Sequence, residues 1–279
     1  MPVWSCMLCA ISCSNRSHPV TPNTLSMTSP TESRNVNDSF FDGQYKDIWR
    51  AYIPEELTRR ELDFIIQYFK LEPENKVLDI MCGYGRHSIG LARKGINVTA
   101  VDNLKEYVDE IQQVAIAENL SIKAMRSDVL NYAASEKFDL AICMGNSLNF
   151  FNEEDVQTLM KSIAAGLKPG GNFLINSWSL AETVIKGFTD KAWSYNGDYK
   201  VITDSEYLFN PTRIETEFTT ISKEGITETK RAVDYIYSYS EMQRMLETAG
   251  FTLKEVFSIP GKKKFAVGEP RAYIIAEKV

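Results

Sequence analysis

Residues 77–87 read Val77-Leu78-Asp79-Ile80-Met81-Cys82-Gly83-Tyr84-Gly85-Arg86-His87. Lys76 to Met81 is a short apolar strand. Gly83 and Gly85 follow it and let the backbone turn sharply and approach a ligand closely. Arg86 to Arg93 has helical spacing and is closed by Lys94-Gly95. Strand, glycine turn and helix in that order make the first half of a crossover unit.

The same rhythm continues downstream. Ile96 to Val101 reads as a second strand and Leu104 to Ala117 as a second helix. Ser121 to Met125 and Phe138 to Cys143 are the third and fourth strands. A helix follows from Glu153 to Leu167, and Pro169-Gly170-Gly171 turns into a fifth strand, Asn172 to Ser177. Upstream, Thr58-Arg59-Arg60-Glu61 has capping-box form and opens an amphipathic helix through Phe69. Strands alternating with helices of this length predict an α/β fold, a doubly wound parallel sheet with helices on both faces.

After Ser177 the pattern changes. Tyr199 to Phe209, Arg213 to Ile221 and Thr227 to Tyr239 alternate like strands, with short turns at Asn210-Pro211 and Lys223-Glu224-Gly225. Short turns require antiparallel pairing. Residues 187–239 are therefore expected to be an inserted antiparallel β-meander, placed as a lid. Ser240 with Gln243 is the expected cap of a helix stopping at Gly250. Thr252 to Ser258 and Arg271 to Lys278 close the chain as an antiparallel terminal hairpin.

The remaining organisation follows from composition. Residues 14–39 are dominated by Ser, Thr, Asn and Pro without an apolar period, so 1–39 is expected to be a disordered N-terminal extension and 40–279 the folded domain. Cys6, Cys9, Cys13 and His18 could ligate zinc, but they lack the distant second half of a usual zinc module, and no metal is expected. Five cysteines, three of them crowded at the start, are no disulfide framework; a reducing, cytoplasmic setting fits. A net charge of −6 repels phosphate backbones, so no nucleic-acid partner is expected. There is no apolar run of about 18 residues, hence no expectation of a membrane span.

In an open parallel sheet a ligand lies outside the carboxyl ends of the strands. Asp79 precedes the glycines, Asp102 ends the second strand and Asp128 follows the third. A carboxylate ending the second strand is placed to grip a ribose diol. Singly, each feature could be a tight turn or a helix cap. The ordered set is more specific.

On these residues the chain, from about Phe40 to Val279, resembles a class I S-adenosylmethionine-dependent methyltransferase of the small-molecule type, with a Rossmann-like sheet. The resemblance implies that Gly83 and Gly85 line the methionine part of the donor, and that Asp79 and Cys82 of the same motif belong to the donor site. It implies that Asp102 holds the ribose and that Asp128 receives the adenine amino group, with Asn103 and Val129 beside them among the donor-binding residues. Met144-Gly145-Asn146 would border the sulfonium and the substrate, and Tyr45 and Trp49 would fold over the donor. Leu167-Lys168-Pro169-Gly170-Gly171 resembles the family's turn into strand five. Met81 stands where many members have a third glycine. The expected reaction is methyl transfer from S-adenosyl-L-methionine to an N or O atom of a small-molecule acceptor. The alternatives are an NAD(P)-dependent oxidoreductase, with Ser88 as third small residue, and a non-catalytic donor-binding module.

Methyl transfer from a sulfonium is an in-line displacement of an activated donor, so positioning dominates. A hydroxyl acceptor would need a general base and a neutral amine little help. Of the two histidines, His18 and His87, only His87 is a weak catalytic candidate; local bonding at the helix start explains it as well. Tyr207, Phe209, Tyr235, Tyr237 and Tyr239 could line the lid or a homodimer contact, and aromatic faces would welcome a cation.

Overall fold

The computed structural model describes residues 35–279. The zinc and extension expectations for residues 1–34 lie outside the described residues. Apolar alternation builds the central strands: Leu78 and Ile80 face one side of the first strand and Val77 the other.

The described residues open with a 3-10 turn, Val36–Ser39, followed by helices α1 (Tyr45–Tyr52) and α2 (Glu55–Phe69). Strands β1 (Lys76–Ile80), β2 (Asn97–Asp102), β3 (Ile122–Arg126), β4 (Phe138–Cys143) and β5 (Leu167–Ser177) alternate with α3 (Arg86–Arg93), α4 (Lys105–Glu118) and α5 (Glu153–Gly166). A short α6 (Ala181–Val184) leads into β6 (Lys191–Asn196), β7 (Tyr199–Phe209), β8 (Thr212–Ile221) and β9 (Thr227–Tyr235). Then come α7 (Tyr239–Thr248), β10 (Phe251–Ile259), β11 (Lys263–Lys264) and β12 (Ala272–Lys278).

The main sheet has the order β11-β10-β12-β5-β4-β1-β2-β3. Strands β1 to β5 are parallel, while β12 runs antiparallel between β5 and β10. The strand order reverses between β1 and β4, which opens a crevice at their carboxyl ends. Helices α5 and α7 cover one face through Val156, Leu159, Met242 and Leu246. Helices α2 and α3 cover the other through Leu62, Ile65, Leu91 and Ala92.

The lid is a separate antiparallel sheet, β6-β7-β8-β9. It has four strands rather than the three expected. The unexpected strand is β6, Lys191–Asn196, whose alternation places the aromatic residues Trp193 and Tyr195 outward instead of in the core. The third expected strand ends at Tyr235, not Tyr239. The next helix is capped by Ser238 with Glu241, not by Ser240 with Gln243: Ser238 accepts from the Glu241 N–H while Glu241 accepts from the Ser238 N–H.

The expected disorder of residues 35–39 is also corrected. Asn37 is buried, its Oδ1 accepting the Val233 N–H at 2.8 Å and its Nδ2 donating to Val233 O at 3.0 Å and Phe150 O at 3.1 Å. The inner face of the lid supplies Val201, Phe218 and Ala232 to a third core that includes Phe40 and Ile48. Lid and N-terminal segment thus fold as one body over the carboxyl edge of the sheet.

Candidate donor and acceptor site

One pocket lies at the carboxyl edge between the β1, β2 and β4 ends and the N-terminal segment, enclosing about 1030 Å³ of space with its mouth included.

Its floor is the glycine turn. Met81 sits at φ +56°, Gly83 at +55° and Gly85 at +77°. The left-handed Met81 explains why a glycine would be at ease in that position, since the conformation costs an L side chain energy. The two glycines differ. A Cβ added to Gly83 would meet nothing within 4 Å, so this residue opens onto the pocket. A Cβ at Gly85 would lie 2.6 Å from Ile111 Cγ1 of α4. Gly85 is therefore a packing glycine and is not part of the pocket wall.

The three carboxylates do converge. Asp102 accepts the Gly83 N–H at 2.8 Å with Oδ2 and the Leu104 N–H at 3.0 Å with Oδ1. It thus ties the turn to the end of β2 while lining the pocket, and burial raises its pKa. Asp128 lines the far end and caps the turn at Val129–Asn131 by accepting the Leu130 N–H at 2.9 Å. Asp79 is buried, accepts the Ser88 hydroxyl at 2.5 Å through Oδ2, and leaves Oδ1 with no partner among the described residues. Burial pushes its pKa up to about 7.

Cys82, Asn103, Val129, Met144 and Gly145 all line the pocket, as do Tyr45 and Trp49 of α1. Tyr45 stacks on Trp49 with ring centroids 6.0 Å apart, and Trp49 lies 5.8 Å from Trp178 at the end of β5. Asn146 is not on the wall. It is fully buried behind Gly145, where its Oδ1 accepts the Trp178 and Ser179 N–H groups at 2.9 and 3.1 Å.

His87 is also buried, and its Nε2 donates to Glu61 Oε2 at 3.0 Å. Arg86 reaches the same oxygen at 2.5 Å, and Tyr273 donates to Glu61 Oε1 at 2.7 Å. Burial works against the Glu61 charge, yet Arg86 and His87 outweigh it and hold the carboxyl below its usual range. Burial and the Arg86 charge lower His87 to about 4. The imidazole is thus neutral, with Nε2 committed to Glu61, which is the local-bonding explanation of this residue.

Sequence reasoning missed Asn37, Asp38, Tyr84, Tyr107 and Ser127 as pocket residues. Asp38 accepts from the Asn103 side chain at 3.1 Å, a contact across 65 positions that no local pattern announces.

Comparison with known proteins bears on the same region. Residues 77–171 match a family model described as a methyltransferase domain. A glycine/sarcosine N-methyltransferase of Aphanothece halophytica is 30% identical over 152 residues, 53% of this chain and 57% of that protein. A dTDP-4-amino-2,3,4,6-tetradeoxy-D-glucose N,N-dimethyltransferase of Saccharopolyspora spinosa is 23% identical over 203 residues, 71% of this chain and 80% of that protein. The structure of an S-adenosylmethionine-dependent methyltransferase from Clostridium acetobutylicum ATCC 824 superposes with a TM-score of 0.73 at 19% identity, covering 84% of this chain and 96% of that one. At that identity the structural likeness speaks for the fold. This chain spans a little over half the length of the first curated relative, 57%.

Proposed function

We propose that this chain, by family a class I S-adenosylmethionine-dependent methyltransferase, transfers a methyl group from S-adenosyl-L-methionine to an N or O atom of a small molecule. The observation that carries the reading is Asp102 joined to Gly83 at the switch in strand order: a ribose-gripping carboxylate and a turn open to a ligand on one pocket wall. The antiparallel β12 between β5 and β10 separates the fold from the all-parallel order of a dinucleotide oxidoreductase.

The residues present fit the donor. Asp79 Oδ1 is a buried acceptor in need of a donor group, as the ammonium of the methionine moiety would supply. Gly83 leaves room for a ligand at its Cα, Asp102 and Asn103 stand for the ribose, and Asp128 and Val129 for the adenine. The donor brings an activated methyl group. The chain's part is to hold it, to cover it with Tyr45 and Trp49, and to exclude water under the lid.

The finer expectations belong to the same proposal. A small-molecule acceptor without nucleic acid agrees with the net charge of −6, as does a cytoplasmic setting with the cysteine usage. Among the described residues no helix is long and apolar enough to cross a membrane. A homodimer through the outer lid face would cover the exposed Trp193 and Tyr195.

Calorimetry with S-adenosyl-L-methionine and tritium transfer from the labelled donor to a metabolite extract test the function. Binding without transfer to any acceptor would leave a donor-binding module in its place. Light scattering during size exclusion tests the dimer.

A further inference from the structure

We propose that Asp234 of the lid binds and deprotonates the methyl acceptor, and that the acceptor is an amine presented to the protein as its ammonium ion. This rests on the methyltransferase reading and adds to it the chemistry of the acceptor.

Asp234 lies next to the end of β9, where the lid meets the carboxyl edge of the sheet. Its Oδ1 accepts from Asn146 Nδ2 at 2.8 Å and from Ser179 Oγ at 3.2 Å. Asn146 directly follows Gly145, which lines the donor pocket. The other oxygen, Oδ2, has no hydrogen-bond partner among the described residues, and the side chain is partly exposed.

Both partners of Asp234 are neutral, and no described Lys, Arg or His forms an ion pair with it. A carboxylate with one oxygen held by neutral donors, only partly exposed and without a counter-ion, is costly to keep charged. Were its work only to stitch the lid to the sheet, an asparagine would accept the same two hydrogen bonds without that cost. The surplus negative charge therefore has a use, and its surroundings show which. Trp178 is fixed through its N–H to Asn146, its ring lies 5.8 Å from Trp49, and Tyr45 stacks on Trp49. Trp49 reaches to 4.0 Å from the position of a Cβ on Gly145. Asp234 is within electrostatic reach of Tyr45, which stacks on Trp49, and a carboxylate beside such aromatic faces suits an organic cation. An alcohol could donate to Oδ2 but would bring no positive charge to offset the carboxylate or to meet the aromatic faces.

The residues facing Asp234 are Asn146 after β4, Ser179 after β5, Ile214 paired across from β8 and Tyr45 of α1. Of these Tyr45 alone titrates, and its hydroxyl is raised by burial and by nearby groups that include Asp234. Burial raises Asp234 to about 6, within reach of neutrality, where a general base works best.

The chemistry balances. Asp234 Oδ2 takes one proton from R–NH3⁺, leaving R–NH2 and the carboxylic acid. The freed lone pair forms the N–C bond to the methyl carbon as the C–S bond breaks, and sulfur keeps the electron pair. The product leaves as an N-methylammonium ion, and Asp234 returns its proton to water.

The experiment uses the full chain, tritiated S-adenosyl-L-methionine and a metabolite extract, untreated or treated with acetic anhydride to cap its amines. Labelled product, separated from the cationic donor by chromatography, should fall at least tenfold in the acetylated extract. Undiminished labelling of the acetylated extract overturns the amine assignment and leaves the methyltransferase reading standing. Failure of the wild type to bind the donor by calorimetry overturns that reading, and the inference with it. In a second arm, Asp234→Asn should melt as the wild type does and keep its donor affinity. It should lose at least a hundredfold in kcat and lose the limb of the pH–rate profile near 6, with Asp234→Glu recovering part of the rate. Wild-type turnover by Asp234→Asn overturns the assignment of the base.

Discussion

Replacing Gly85 by Ala separates a packing glycine from a ligand-facing one. At φ +77° an L side chain meets the strain of the left-handed region, about 1–2 kcal/mol. The new Cβ would also stand 2.6 Å from Ile111 Cγ1 and 2.8 Å from its Cδ1, and Ile111 is fully buried, so the clash is with a side chain that has little room to yield. Overpacking of this kind costs about 1–3 kcal/mol. The sum, about 2–5 kcal/mol, corresponds to a fall in Tm on the order of 10 °C for a domain of this size. Gly83→Ala should cost only the strain, about 1–2 kcal/mol, because its Cβ enters open space. Its Cβ would, however, occupy the donor's place and weaken donor binding at least tenfold. Thermal unfolding and calorimetry on the two variants provide the contrast. Ile111→Ala in the Gly85→Ala background should return the overpacking part as a coupling energy in a double-mutant cycle. If Gly85→Ala melts with the wild type but no longer binds donor, Gly85 faces the ligand and the packing argument is wrong.

Asp102→Ala should lower donor affinity at least tenfold, since charge-assisted hydrogen bonds contribute about 1.5–3 kcal/mol each; unchanged affinity by calorimetry would remove Asp102 from the ribose site. Asp79, raised by burial to about 7, holds a proton in the folded state that the unfolded chain loses near its ordinary value. The folded state thus binds the extra proton, so stability should fall as pH rises from about 4 to 7 and level off above, by a few kcal/mol at most. Asp79→Asn should flatten that decline in Tm, and an unchanged slope would exclude Asp79 as its source. Replacing residues 191–235 by a Gly-Ser linker should abolish turnover and also weaken donor binding, because Val201, Phe218 and Ala232 hold the segment that carries Tyr45 and Trp49. Full donor affinity in the linker variant would show that α1 holds its place without the lid.

Most of the α/β framework was legible because its elements satisfy local rules; α2 is an exception at its start, beginning at Glu55 after Pro54 and not at the Thr58–Glu61 capping box. The glycines at 83 and 85 follow an apolar strand, and Asp102 and Asp128 end strands or cap turns, so the pattern and the structure share one cause. The lid was legible as antiparallel from its turns, but its packing was not. Phe218 reads as one strand aromatic among several; only the fold brings it 5.6 Å from Phe40 and 5.8 Å from Tyr45. The Ser-, Asn- and Pro-rich composition that predicts disorder up to residue 39 also failed at Asn37. A single asparagine there pairs with the backbone of Val233 and Phe150, which offsets the cost of ordering its segment.

Asparagine is the common element in what the sequence conceals. Asn37 ties the N-terminal turn to β9, Asn146 ties the β4 loop to Asp234, and Asn149 donates to Tyr235 O at 2.8 Å. All three are buried, and their partners lie 196, 88 and 86 positions away. An amide carries both donor and acceptor, so it can bridge two backbones that share no ladder. It carries no charge and no periodicity that would mark it in advance. The resemblance puts Asn146 beside the sulfonium and the substrate, whereas the structure buries it directly behind the pocket wall, where it fixes Trp178, Ser179 and Asp234. The donor half can be read along the chain because consecutive strand ends build it. The proposed acceptor half depends on pairings between β9 and loops far from it in sequence, so Asp234 becomes visible as a candidate only once those asparagines have been placed.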